Sequence, residues 1–190
     1  MDVFVLSLRV ICRDVMLRVF SSTTTFSGSA NYDVSLRKYI KMALKNLPLG
    51  ISTLSLLLES NGIYVDKTEY AFNLIKTPGR FFLSRPRRFG KSLFVDTLKE
   101  IFEGNQKLFE GLYIHDKWDW TKKYPVIKLD FAGGGGKNQN ELDLRLSALL
   151  QQNKDRLGVH YDSLDLEDNF SKLISKVAAK YGQRVVVLVD

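Results

Sequence analysis

The sequence predicts an α/β fold in which a parallel sheet is covered by helices on both faces. Two observations lead there. Three short segments, RFFLS (80–84), YPVIKLDF (124–131) and RVVVLVD (184–190), are nearly continuous apolar runs, as strands buried on both faces are. Stretches with helical apolar spacing separate them, which is the pattern of strand–helix–strand units. The 190-residue length and 45% hydrophobic content are enough for one core without covalent staples, and they exclude a disordered chain.

The elements follow in order. Residues 1–41 differ from the rest. Positions 3–20 are apolar with Arg9, Arg13 and Arg18 interspersed, and a polar stretch follows from Ser21 to Asn31. Asp2 and Arg9 make a poor secretory signal. This segment is expected to be an extension outside the domain, loosely attached or translated from a misassigned start, with the domain covering 42–190. Ser52 is positioned to cap a short helix (TLSLLLES) that stops at Asn61-Gly62. Asp66-x-x-Glu69 resembles a capping box for a second helix, which Thr77-Pro78-Gly79 breaks. The RFFLS strand comes next. Leu93, Phe94, Leu98, Ile101 and Phe102 then mark a helix over 91–102. Gly133–Gly136 reads as a mobile loop. Helices are expected over 140–154 and 167–181, the latter ended by Gly182.

Several chemistries are excluded. No apolar run approaches the roughly 18 residues of a membrane span. The single cysteine, Cys12, rules out an internal disulfide and a thiolate zinc site. His115 and His160 lack ligand-like spacing. The net charge of +7 permits a polyanionic partner. It is spread along the chain, apart from the local cluster Arg85, Arg87, Arg88 and Lys91.

That cluster contains Gly90-Lys91-Ser92, placed after an expected strand and at the start of an expected helix. Free N–H groups and the helix dipole at such a start favour an anion. A glycine lets backbone approach phosphates, a lysine faces the β- and γ-phosphates, and a hydroxyl can bind Mg²⁺. The consensus G-x-x-x-x-G-K-[ST] wants glycine at position 85, where this chain has Arg85, which must avoid positive φ. The alternative is a basic helix start with no nucleotide. Gly133–Lys137 (GGGGK) is a poorer candidate, since Asn138 stands where Ser or Thr should be. Asp190 ends an apolar strand as the metal-holding acid of a Walker B strand does, or it caps the next turn.

Together LPLGIS (47–52), YVDKTEY (64–70), FLSRPRRFGKSLF (82–94), LFEGLYI (108–114), YPVIKLDF (124–131) and RVVVLVD (184–190) resemble the bacterial AAA-ATPase-like domain family, over about Lys45–Asp190. Its members often carry a PD-(D/E)XK nuclease-like domain, and its own loop begins with arginine. The resemblance implies a P-loop NTPase-type parallel sheet flanked by helices, incomplete at the carboxyl end. It implies Mg·ATP held around Arg87, Arg88, Phe89, Gly90, Lys91, Ser92 and Leu93, with Lys91 in the catalytic role, Ser92 and Asp190 on the metal, and adenine near Leu47–Tyr70. The residue that would orient the attacking water follows Asp190 in the family. The chain is therefore expected to be an amino-terminal fragment that binds ATP with impaired hydrolysis, in the cytoplasm and away from membranes. The alternatives are a non-enzymatic nucleic-acid-binding module using the 85–91 cluster, and an inert truncated fragment whose terminal strand has an open edge.

Overall fold

The computed structural model describes residues 4–6, 45–77, 79–86, 88–131, 138–163 and 165–190. Three parallel strands, β1 (Phe4–Leu6), β2 (Val126–Leu129) and β3 (Val186–Val189), form a sheet in the order β1-β3-β2. Val126 pairs with Val186 and Leu129 with Val189, while Phe4 pairs with Val186 from the other side. The described helices are α1 (Leu54–Glu59), α2 (Thr68–Lys76), α3 (Lys91–Glu103), α4 (Gln139–Leu157) and α5 (Leu166–Tyr181), with a 3-10 turn over Gln106–Phe109.

Successive strand side chains point to opposite faces, and here both faces are apolar. Val126, Val186 and Leu188 pack with Leu54, Ala71 and the α3 residues Phe94, Leu98 and Ile101. Ile127, Leu129, Val185 and Val187 pack with Leu149 and Leu150 of α4 and with Leu173 and Val177 of α5. This double coverage is why the strands read as unbroken apolar runs. Each fully buried Val, Leu or Ile contributes roughly 1.5–3 kcal/mol of transfer free energy.

Helix α4 also closes the outer edge of β2. The buried Asn153 donates from Nδ2 to the Lys128 carbonyl at 2.8 Å and accepts at Oδ1 from the Lys128 N–H at 3.1 Å. Arg156 donates to the Val126 carbonyl. One side-chain amide thus takes the place of a neighbouring strand's peptide group, and edge groups that invite pairing with another chain are satisfied.

Four local expectations need correction. RFFLS forms no strand. It carries a single bridge residue at Phe82, which is 43% exposed, while Phe81 and Leu83 pack on the core. Among the described strands β3 is central, with β1 and β2 on its two sides, so RFFLS does not pair with it. For the same reason β3 is not the open edge that the inert-fragment alternative supposes. Ser52 does not cap α1. The N-cap is Thr53, without a side-chain bond, and the first helical N–H, that of Leu54, is taken by Asp96 Oδ2 at 2.8 Å. Asp66 does not close a capping box either. It bonds the Thr68 N–H, two residues on, and α2 starts at Thr68 with Lys67 as N-cap.

Other expectations hold. Asn61 adopts a left-handed φ of 53° after α1. A Cβ on Gly62 would stand 2.8 Å from the Leu57 carbonyl oxygen, so the turn requires glycine there. Helices α4 and α5 fall where their periodicity puts them, one ending before Gly158 and the other before Gly182. The Gly133–Gly136 loop, Pro78 and Arg87 lie outside the described residues. Asn138, which spoils GGGGK as a phosphate loop, is the N-cap of α4, accepting from the Glu141 N–H at 2.9 Å. Among the described residues no helix is long and apolar enough to cross a membrane.

Candidate functional site

The segment before α3 turns sharply. Arg85 avoids positive φ, as expected. The left-handed positions are Arg88 (φ 68°) and Gly90 (φ 73°). Glycine takes this geometry freely, whereas a residue with a Cβ is strained by about 1–2 kcal/mol. Gly90 is the N-cap of α3, and no side chain caps that helix start. The first N–H groups of the 13-residue helix therefore carry the positive end of its dipole without a side-chain cap. Lys91 folds back under the turn, donating from Nζ to the carbonyl oxygens of Arg85 at 2.8 Å and Pro86 at 3.4 Å.

This turn forms one wall of a cleft of about 1160 Å³. Arg88, Phe89, Gly90, Lys91, Ser92 and Leu93 all line it. A second wall comes from the segment around α1, where Leu49, Ile63 and Val65 are 90%, 41% and 68% exposed. Asp190, just beyond β3, lines the same cleft. Its backbone continues the pairing, since its N–H donates to the Leu129 carbonyl at 2.9 Å and its carbonyl accepts from the Phe131 N–H at 2.8 Å. Its Oδ2 is buried and has no hydrogen-bond partner. Buried oxygens are nearly always satisfied, so this carboxylate oxygen is an exception among the residues that line the cleft.

Asp96 and Tyr64 hold the cleft in shape and Lys67 faces into it, and none of the three was singled out in the sequence. Asp96, buried in α3, takes the Leu54 N–H on one oxygen and the Lys128 ammonium on the other at 3.1 Å. Tyr64 lies 3.4 Å from the Thr97 hydroxyl. Burial raises its phenol pKa, with the Thr97 bond opposing. Lys67 also faces the cleft. Burial, and then the charge of Arg85, lower its ammonium pKa. Asp96 and Lys67 gave no local signal, because their roles rest on partners distant in the chain. Among the described residues no group of three or more His, Cys, Asp or Glu side chains could hold a metal by itself.

The fold and site define an α/β domain in which a left-handed turn opens an uncapped helix at a large cleft. A family model described as "Predicted AAA-ATPase" matches residues 48–190. The chain belongs to this AAA-ATPase-like family. It is also 45% identical over 150 residues to a protein of Azotobacter chroococcum mcd 1 described as an uncharacterized protein in the vnfD 5′ region. The match covers 78% of this chain and 29% of that protein, so the chain spans under a third of its relative's length. No solved structure matches.

Proposed function

We propose that the cleft binds a nucleoside triphosphate with Mg²⁺, ATP by family, and that the domain is of the P-loop NTPase type with residues 85–92 as its Walker A loop and Asp190 beginning Walker B. The observation that carries this is the convergence in one cleft of Gly90-Lys91-Ser92 with an unpartnered carboxylate oxygen of Asp190. Those two pieces lie about a hundred residues apart in sequence. The apolar wall at Leu49, Ile63 and Val65 suits a flat base, and a small-molecule pocket is commonly apolar with few polar groups.

In this reading the backbone from Arg88 to Leu93 surrounds the phosphates, and the open helix start supplies N–H donors. Lys91 places its charge on the β- and γ-phosphates, which requires it to exchange a carbonyl for a phosphate oxygen. An ammonium has three donors, so one loop tie can persist. Ser92 and Asp190 are hard oxygen donors that fit Mg²⁺, which is usually held by one or two protein groups with the remaining oxygens from phosphate and water. When bound, the ion neutralises phosphate charge. Lys91 binds its loop carbonyls and Arg85 is half-buried, which favours this reading over a basic face for nucleic acid.

A thermal-shift titration tests it. Mg·ATP at 100 times its dissociation constant stabilises the protein by about 2.7 kcal/mol. Lys91→Ala abolishes the shift, and Ser92→Ala weakens its dependence on Mg²⁺. A flat response from folded wild-type protein refutes the proposal. Salt-sensitive DNA binding indifferent to ATP favours the nucleic-acid reading.

A further inference from the structure

The tripeptide Asp66-Lys67-Thr68 divides its labour unevenly. Asp66 accepts at Oδ1 from the Thr68 N–H and hydroxyl, at 2.8 and 2.7 Å, and at Oδ2 from the Tyr113 N–H at 2.8 Å. Thr68 is fully buried, and its hydroxyl accepts from the Ile114 N–H at 3.2 Å. These bonds pin the backbone on both sides of Lys67 to the 113–114 turn. Both neighbours therefore have internal roles. Lys67 has none of that kind: its ammonium makes no ion pair with a described carboxylate.

That ammonium lies 3.8 Å from the point where a Cβ on Gly90 would stand. It lines the cleft together with Arg88 and Lys91, and Arg85 acts on it as a like charge. A half-buried cation with no counterion among the described residues, in a cleft lined by other cations, is unfavourable in the free protein. An anion of high charge density between them reverses the sign of that energy. A flexible surface lysine would avoid such a position, but here the flanking bonds prevent the backbone from moving away.

We infer that Lys67 is a second phosphate-contacting cation of the cleft, reaching the anion from the α2 side while Lys91 reaches it from the turn. It favours ligands in the order of their phosphate charge. The inference rests on the cleft being the nucleotide site, and it adds a residue and a charge preference to that site.

Calorimetric titration of the whole chain with Mg·ATP, Mg·ADP and inorganic tripolyphosphate tests it, using Lys67→Met, Lys67→Gln and Lys67→Arg. Either neutral variant is expected to weaken ATP and tripolyphosphate by about tenfold or more, the scale of one hydrogen bond to a charged group, and ADP by less. Arginine restores most of the affinity. The free neutral variants melt no lower than wild type, because a like-charge contact has been removed, so stability and affinity move in opposite senses. If wild-type protein binds none of the three ligands, the nucleotide reading itself fails. If wild type binds ATP and the neutral variants bind it equally well, Lys67 has no such role and the nucleotide site stands. Equal losses for ATP and ADP overturn the charge preference. A large fall in melting temperature that arginine does not rescue makes Lys67 structural and overturns the inference.

Discussion

Asp96 joins the apolar wall of the cleft to the sheet, and removing its carboxylate has consequences that can be worked out. The side chain is 3% exposed. One oxygen takes the Leu54 N–H at 2.8 Å and the other the Lys128 ammonium at 3.1 Å. Asp96→Ala leaves a buried N–H without a partner, a penalty of about 1–3 kcal/mol. It also leaves Lys128 without its counterion. Breaking a fully buried pair in this way costs about 3–5 kcal/mol. The Lys128 side chain is 22% exposed, so water recovers part of that second penalty. A total of about 3–5 kcal/mol is expected. Asp96→Asn retains an oxygen for Leu54 and loses only the charge, so its cost is about 1–2 kcal/mol. Urea unfolding at neutral pH measures both, with unchanged slopes showing that the denatured state is not responsible. Because Leu54 opens α1, beside the wall that includes Leu49 and Ile63, the alanine variant also weakens ATP. A loss under ~1 kcal/mol for alanine, or equal losses for the two variants, would refute this account of how the wall is held.

Two more predictions concern stability. Asn153→Leu keeps the volume but orphans the Lys128 N–H and carbonyl on the outer edge of β2; unfolding in urea is expected to show a loss of about 2–4 kcal/mol, with faster aggregation on heating as the edge opens, and an unchanged midpoint would show that water serves those groups instead. Tyr161 donates to the Asn169 backbone carbonyl at 2.8 Å, and burial, then the charge of Asp168, push its phenol up to about 12. An unfolded tyrosine titrates near 10, so above that pH the folded state holds the proton more tightly and stability falls as pH rises from about 10 to about 12. Tyr161→Phe flattens that limb in denaturation curves taken across this range, and an equally steep limb in the variant would place the titration elsewhere.

Features decided within a few residues were legible. The αL stop at Asn61, the ends of α4 and α5 and the unbroken apolar run of β3 each depend on local backbone chemistry or on burial alone. The candidate turn Gly90-Lys91-Ser92 and the strand-end Asp190 were likewise visible as separate pieces, together with a family pattern covering most of the chain. The exceptions are instructive. RFFLS is as apolar as β2, and Phe81 and Leu83 are indeed packed inward, but the two sides of β3 are taken by β1 and β2. Apolar pattern reports burial and carries no information about which edges are occupied.

The caps show the same division. Ser52 and Asp66 have the right residue types near helix starts. Yet the Leu54 N–H is satisfied by Asp96, 42 residues away in sequence, and Asp66 is turned toward Thr68 and Tyr113. Asn153 imitating a strand, and Lys67 held over Gly90 with no counterion among the described residues, are invisible in the same way. Residue type and periodicity determine what each segment can bury and where the chain can turn, because those energies arise within one helical turn or one strand. Which polar group meets which was left to the packing of α1, α3 and α4 on the sheet, because a hydrogen bond or an unpaired charge is decided by distance in space, and that distance exists only once the chain has folded.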